Sequence, residues 1–175
     1  MRSRYRVRAG WVVGPAVVWL ARPTPGSLGA GLAVALLGEA LRIWASGHIE
    51  KTERLATGGP YAHTRNPLYL GSLAVGIGLA AGGQSLAAAA LVLAYFAVFY
   101  PSVMRDEAAF LERRFPEDYA AWARAVPIFV PRFLPAGPRA TRFHWERVRA
   151  NREWRTLLAL PLLALLLYAR GRWLP

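Results

Sequence analysis

The sequence predicts an all-α fold: an integral-membrane helical bundle of about five transmembrane helices, with residues 1–175 forming a single domain. Hydrophobic residues make up 55% of the chain, and they occur in blocks from which charged residues are largely absent. The net charge of +12 comes almost wholly from arginines, which cluster beside these blocks. Apolar blocks with basic flanks are typical of membrane proteins, whereas soluble domains mix polar and apolar residues along each element.

The apolar segments cover residues 10–21, 27–44, 68–82, 84–103 and 156–169. A bilayer core needs about 20 apolar helical residues, so the second and fourth segments are predicted to span it. The third also spans if its helix begins near Pro67, because proline suits a first helical turn. The first and fifth segments are short and contain Pro15 and Pro161, respectively. For these two, a full span and a re-entrant segment are both compatible with the sequence.

The placement of the arginines predicts the topology of the bundle. The N-terminal arginines, the 45–66 loop and the 105–155 region are expected to share the cytoplasmic side, because basic loops stay inside and face anionic lipid. The turns at 22–26 and 82–84 carry almost no charge and are expected on the opposite side. These features favour the cytoplasmic membrane of a bacterium or archaeon. No nucleic-acid partner is expected, because a nucleic-acid binder would interleave arginines with stacking aromatics on a soluble fold.

The chain has no cysteine, which excludes disulfides, thiolate catalysis and zinc–thiolate sites. Its three histidines, His48, His63 and His144, are too scattered to predict a metal site, so none is expected.

Four polar features stand out beside the apolar segments. Glu39 and Arg42 share one helix face, either as a functional pair in the membrane or as a structural salt bridge. Glu107 lies directly after the fourth segment, where its carboxylate could bind a cationic amine or sulfonium or simply belong to a solvated helix end. The segment 142–155 is predicted to form one amphipathic helix at the membrane surface.

The fourth feature is the polar stretch at 58–71, which reads G-G-P-Y-A-H-T-R-N-P-L-Y-L-G. Glycine and proline at 58–60 and the Asn66–Pro67 step predict two chain reversals. Tyr61 and Tyr69 could stack on a base or hold a hydroxyl at the interface. The free N–H groups after Pro67 favour an anionic group such as a carboxylate. An ordinary interfacial loop with aromatic residues would also have this composition.

Residues 59–71, together with the acidic pair at 106–107, F-P-E-D-Y at 115–119 and V-P-I-F-V-P at 126–131, resemble a known family. It is the superfamily of integral-membrane methyltransferases that contains the isoprenylcysteine carboxyl methyltransferases and the phospholipid methyltransferases. The resemblance covers residues 50–132. The first two apolar segments and the C-terminal part of the chain are not covered by these motifs.

The resemblance implies a helical membrane enzyme that uses S-adenosyl-L-methionine at a cytosolic loop and helix and takes a lipophilic or lipid substrate from the bilayer. The cofactor-binding residues carried over from the family pattern are Glu53, Arg54, Leu55, Ala56, Tyr61, Asn66, Pro67, Leu68, Tyr69 and Glu107. Arg105 is the catalytic candidate, because it could replace the arginine that holds the substrate carboxylate in the prenylcysteine enzymes. If an amine is methylated instead, His63 or His144 could act as the base.

The chain departs from the prenylcysteine enzymes in two main ways. Asn66 stands where those enzymes have histidine, and Val103 and Met104 stand where the arginine before the acidic pair is expected. Asp106, where a glutamate is usual, is a milder change. The form N-P-x-Y-x-G-S is also similar to phosphatidylethanolamine N-methyltransferases, so N-methylation of a lipid amine is the nearest competing function. A membrane reductase that uses NADPH, of the sterol-reductase type, and a non-enzymatic membrane adaptor are two further candidate functions.

Overall fold

The computed structural model describes residues 2–50, 53–137 and 141–173, and within these ranges every regular element is helical. The α-helices are α1 (Arg2–Leu20), α2 (Pro25–Ser46), α3 (Pro67–Gly82), α4 (Leu86–Arg114), α5 (Pro116–Ala125), α6 (Trp145–Ala150) and α7 (Trp154–Trp173). A short 3₁₀ turn covers Gly59–Ala62. The predicted all-α fold is therefore confirmed for the part of the chain that the structure describes.

Three helical stretches are long and apolar enough to cross a membrane: Pro25–Ser46, Leu86–Arg114 and Trp154–Arg172. Helix α3 is apolar but shorter, and it begins at Pro67 as the sequence predicts. Helix α1 contains Pro15 and begins at Arg2, so it is longer than the apolar segment that predicted it. The prediction of about five spans stays a prediction.

The chain divides into two compact units, and the first comprises Met1–Glu39, Ser72–Val103 and Thr156–Pro175. Its core contains small residues that bring helices close together. A Cβ atom on Gly31 would lie 2.4 Å from the carbonyl oxygen of Gly78, so the backbones of α2 and α3 meet where neither residue has a side chain. Small residues of α3 therefore serve close helix packing.

The second unit comprises Ala40–Gly71 and Met104–Arg155 and contains every residue of the predicted site. Its core contains the buried residues Ala45, Leu55, Tyr61, Tyr119, Trp122 and Val126. Helix α5 supplies Tyr119 and Trp122, which lie on one face because they are three residues apart. This unit brings together the 45–66 loop and the 105–155 region, which the arginine distribution assigns to one side of the membrane.

The segment 142–155 is not one amphipathic helix, so that prediction is wrong. Helix α6 ends at Ala150, and Arg152 adopts a left-handed backbone conformation (φ 60°) before α7 begins at Trp154. The Asn151 side chain donates hydrogen bonds to the carbonyl oxygens of Ser46, at 3.0 Å, and Ile49, at 3.5 Å. These bonds attach the break between α6 and α7 to the end of α2. The helical periodicity of the sequence does not predict them.

A buried ion pair also holds this region. Nη2 of Arg42 lies 2.7 Å from Oε2 of Glu153, and the two side chains are 16% and 9% exposed. Nη1 of Arg42 donates a 3.5 Å hydrogen bond to the carbonyl oxygen of Leu68. Arg42 therefore does not extend outward to the membrane surface. It joins the end of α2 to the residue that precedes α7.

We expect Glu153→Ala to lower the free energy of unfolding by about 3–5 kcal/mol, because removing one partner of a buried pair is far more costly than replacing both. The double variant Arg42→Met/Glu153→Leu should recover part of this loss. Denaturant unfolding in detergent micelles measures both, with Glu146→Ala at an exposed position as the control. A double variant whose loss equals the summed losses of Arg42→Met and Glu153→Leu, each measured singly, would contradict the coupling.

His48, which follows the end of α2, is buried against Thr141 and Phe143. Its ring nitrogen Nδ1 is 3.1 Å from the carbonyl oxygen of Thr141, and its ring packs edge-on against Phe143. Gly59 has a φ of 56°, and a Cβ atom there would come within 2.3 Å of Nε2 of His48. Only glycine at this position lets the ring sit against the loop. Burial lowers the pKa of His48 from its usual 6.5, the hydrogen bond to Thr141 opposes this shift, and Arg147 and His144 add to it.

A lowered histidine pKa makes the folded protein sensitive to acid. The unfolded chain takes up the proton near the ordinary pKa, so the stability from His48 is fully present above that pH and is lost as the pH falls toward the lower folded-state pKa. We expect the melting temperature to fall between pH 7.5 and 5.5, and we expect His48→Gln to reduce that fall. His63→Gln serves as the control. A pH dependence in His48→Gln equal to that of the parent protein would contradict this role.

Candidate functional site

A segment without regular secondary structure, residues 127–136, lies along residues 62–66 of the polar stretch. Backbone N–H groups of Arg65, Arg132 and Ala136 donate to the carbonyl oxygens of Pro127, His63 and Ala62, at 2.9, 3.0 and 2.8 Å. Pro127, Pro131 and Pro135 prevent the segment from forming a helix. The prolines thus keep the segment out of a helix, and its hydrogen bonds to residues 62–65 hold that part of the chain in place.

Two side chains of the loop attach it to the same segment. The hydroxyl of Thr64 donates to the carbonyl oxygen of Phe129 at 2.9 Å, and Nδ2 of Asn66 donates to that of Ile128 at 2.8 Å. The carbonyl oxygen of Asn66 accepts from the N–H groups of Tyr69 and Leu70, which begins helix α3. Asn66 therefore sets both the start of α3 and its distance from the 127–136 segment.

A hydrogen bond between Tyr69 and Glu107 links the polar stretch at 58–71 to the acidic pair at 106–107. The Tyr69 hydroxyl donates a 2.8 Å hydrogen bond to Oε2 of Glu107. Tyr69 lies in the first turn of α3, and Glu107 lies in the last part of α4, where it is exposed. The bond orients the carboxylate and leaves it open to solvent.

A narrow cleft of about 10 Å³ lies beside Glu107. It is lined by Arg65, Asn66, Met104, Glu107, Ala108, Leu111, Tyr119, Trp122 and Ile128. The volume suits roughly one water molecule. In this conformation the cleft is too small for a nucleoside.

Arg65 is the cationic member of this cleft. Its Nη1 donates to the Tyr119 hydroxyl at 3.1 Å. Its Nε atom is buried and has no hydrogen-bond partner among the described residues. A buried donor without a partner is costly, so Arg65 has an open position for an acceptor such as a carboxylate. Arg65 and Glu107 together give the cleft one charge of each sign, which suits a zwitterionic ligand.

Tyr61 is in the core in this structure, with 7% of its surface exposed. Its carbonyl oxygen accepts a 2.9 Å hydrogen bond from Nε1 of Trp122. Burial, and after it the nearby charge of Glu107, raises the pKa of the Tyr61 hydroxyl well above its usual range. Tyr61 is therefore neutral, and its ring belongs to the core cluster that also contains Tyr119 and Trp122. Stacking of this ring on a nucleotide stays a prediction.

The remaining predicted residues take different positions. Glu53 and Arg54 are exposed, Leu55 and Pro67 are buried, and Ala56 and Leu68 are half-buried against the core. Arg105 is exposed on α4. His63 is held by the 127–136 segment, with Nδ1 3.0 Å from the carbonyl oxygen of Arg132, and His144 is exposed.

The structure therefore brings Asn66, Tyr69 and Glu107 together, and it adds Arg65 and Tyr119, which the predicted site left out. One signal for Tyr119 was available, because Tyr119 and Trp122 are spaced to lie on one face of α5. Arg65 lies in the polar stretch at 58–71, but its bond to Tyr119, 54 residues away in sequence, has no local signal. Among the described residues, no group of three or more His, Cys, Asp or Glu could hold a metal ion.

Comparison with known proteins gives one family and two named relatives. The family model described as phospholipid methyltransferase matches residues 30–118. The chain is 42% identical over 104 residues to the cobalt-zinc-cadmium resistance protein CzcN of Cupriavidus metallidurans, an alignment that covers 58% of this chain and 46% of that protein. It is 32% identical over 151 residues to the nickel-cobalt-cadmium resistance protein NccN of Alcaligenes xylosoxydans xylosoxydans, covering 83% of this chain and 69% of that protein. No solved structure matches the chain.

The family match includes α3 and all of α4, and so includes Asn66, Tyr69 and Glu107. It ends at Asp118, before Tyr119 and the 127–136 segment. The chain spans about half the length of the first relative.

Proposed function

The chain belongs to the phospholipid methyltransferase family, and from this membership we propose that it transfers the methyl group of S-adenosyl-L-methionine to a lipophilic acceptor in the membrane. The family and the three long apolar helices support an integral-membrane methyltransferase. We propose the identity of the cofactor, the residues that bind it and the chemical class of the acceptor. The cofactor site is proposed to face the cytosol.

The observation that carries the proposal is the charge arrangement around Glu107. Its carboxylate is oriented by Tyr69 and belongs to the same cleft as Arg65, which has a free buried donor. The methionine end of the cofactor carries a carboxylate, an ammonium group and a sulfonium. Glu107 would attract the cationic groups and Arg65 the carboxylate, which it can hold with directional hydrogen bonds. The residues present therefore fit the cofactor's charged end.

The other proposed contacts surround this charged end. The positive end of the α3 helix dipole, at Pro67, would favour the same carboxylate. The nucleoside exceeds the cleft volume, so it would lie outside the cleft against the loop. The residues proposed to line it are Glu53, Arg54, Leu55, Ala56, Tyr61, Asn66 and Leu68.

When bound, S-adenosyl-L-methionine supplies an activated methyl group, so the protein's main contribution is placement. Holding the two reactants in line can lower the barrier by roughly 7–11 kcal/mol. Arg105 is proposed to hold an anionic group of the acceptor, because it is exposed on the helix that carries Glu107. For an amine acceptor, a base must also take a proton, and His63 is the nearer candidate because it lies in the site loop.

Two assays with the detergent-purified chain test the proposal. Calorimetry should show micromolar binding of S-adenosyl-L-methionine. Incubation with the cofactor labelled on its methyl group and with membrane lipids should move label into the organic phase. Phosphatidylethanolamine and a prenylated cysteine then distinguish N-methylation from carboxyl methylation. A folded sample that binds NADPH but not S-adenosyl-L-methionine would overturn the proposal in favour of the reductase, and one that binds neither would favour the adaptor.

The names of the two relatives refer to metal resistance. Under this proposal, any contribution of the chain to metal tolerance would pass through a methylated membrane product. Cells that rely on this chain should then lose tolerance to cobalt, zinc or cadmium when Glu107 is replaced by glutamine. Full tolerance with a variant that binds no cofactor would contradict that link.

A further inference from the structure

An apolar cavity of about 250 Å³ lies within the first unit, enclosed by residues of α1, α3, α4 and α7. The glycines Gly10 and Gly14 of α1 and Gly76 of α3 help to create it, because they contribute no side chain to the lining. Tyr95 and Tyr100 of α4 also line it. An engineered apolar cavity of roughly 150 Å³ stays free of water and takes apolar molecules. The larger cavity here is therefore expected to hold hydrocarbon.

A cation lies at the Tyr100 end of this cavity. Arg6 precedes Gly10 by one helical turn, and its guanidinium carbon is 5.7 Å from the centroid of the Tyr100 ring. The Tyr95 hydroxyl donates to the carbonyl oxygen of Arg6 at 3.1 Å and fixes this turn of α1 against α4. Nε of Arg6 is buried and has no hydrogen-bond partner among the described residues.

These observations point to a single ligand. An apolar cavity favours a hydrocarbon chain, and a buried guanidinium donor needs an anionic acceptor. We propose that the cavity binds one hydrocarbon chain of an anionic phospholipid whose phosphate pairs with Arg6. The proposal does not depend on methyl transfer. Arg6 and Gly10 lie outside the matched family segment, residues 30–118, whereas Gly76, Tyr95 and Tyr100 lie inside it.

Native mass spectrometry of the full chain in detergent tests the proposal, with phosphatidylglycerol and phosphatidylcholine of equal chain length as probes. Gly14→Leu should fill the cavity and weaken retention of phosphatidylglycerol at least tenfold. A Cβ atom at Gly14 meets no atom within 4 Å, so the helix should tolerate the change. Gly29→Leu is the matched control, because its Cβ is equally unobstructed and it does not line the cavity.

The charge is tested separately. Arg6→Gln should remove the preference for phosphatidylglycerol over phosphatidylcholine, and Arg8→Gln, an exposed arginine on the same helix, should keep it. Equal retention in Gly14→Leu and Gly29→Leu would overturn the cavity as the binding site. An unchanged preference in Arg6→Gln would overturn the role of the cation. Unchanged melting temperatures and unchanged binding of S-adenosyl-L-methionine separate both results from misfolding and from failure of the methyl-transfer proposal.

Discussion

Replacing Glu107 by glutamine should weaken S-adenosyl-L-methionine binding by roughly 10- to 100-fold. The change keeps the size of the side chain and its ability to accept from Tyr69, but it removes the negative charge. Hydrogen bonds to charged groups are worth about 1.5–3 kcal/mol, and each 1.4 kcal/mol corresponds to a factor of ten in affinity. Calorimetry on the purified variant measures the loss directly. Methyl transfer should fall at least as far.

The matched control for this variant is Glu112→Gln. Glu112 is an exposed glutamate further along α4, so the substitution changes the net charge equally without altering the cleft. Equal affinities for the two variants would show that Glu107 does not contact the cofactor. Tyr69→Phe should have a smaller effect, about tenfold or less, because the carboxylate keeps its charge and loses only the hydrogen bond that orients it.

The elements that the sequence predicts best are those with local signals. Pro67 marks the first turn of α3, and the apolar block after residue 84 becomes α4. Helix α4 continues past this block to Arg114, because the charged residues after Arg105 keep helical spacing. Asn66, Tyr69 and Glu107 are identified by their motif, which is short and local in sequence for the first two.

Features that depend on distant partners are not predictable in this way. The break after α6 depends on bonds from Asn151 to Ser46 and Ile49, more than 100 residues earlier. The pairing of residues 127–136 with the loop, and the bond between Arg65 and Tyr119, are equally long-range. The sequence can thus suggest which groups bind a cofactor. Their arrangement around one cleft follows only from tertiary contacts.

Trp122 supports this arrangement, so its removal should strongly destabilise the protein. It is 1% exposed, contacts the Tyr119 ring edge-on at 5.8 Å, and donates to the carbonyl oxygen of Tyr61. We expect Trp122→Ala to lower the free energy of unfolding by about 3–5 kcal/mol, because a buried indole leaves a large cavity.

Trp122→Phe keeps most of the apolar volume and isolates the indole hydrogen bond. Its expected cost is about 1–3 kcal/mol, because the buried carbonyl of Tyr61 loses its donor. Trp145→Phe is the matched control at a position that is 67% exposed, and we expect it to change stability by about 0.5 kcal/mol or less. Denaturant unfolding followed by circular dichroism gives all three values.

Since Trp122 also lines the cleft beside Glu107, Trp122→Phe should weaken cofactor binding as well. If Trp122→Phe and Trp145→Phe were equally stable and bound the cofactor equally well, Trp122 would not be the support of the site.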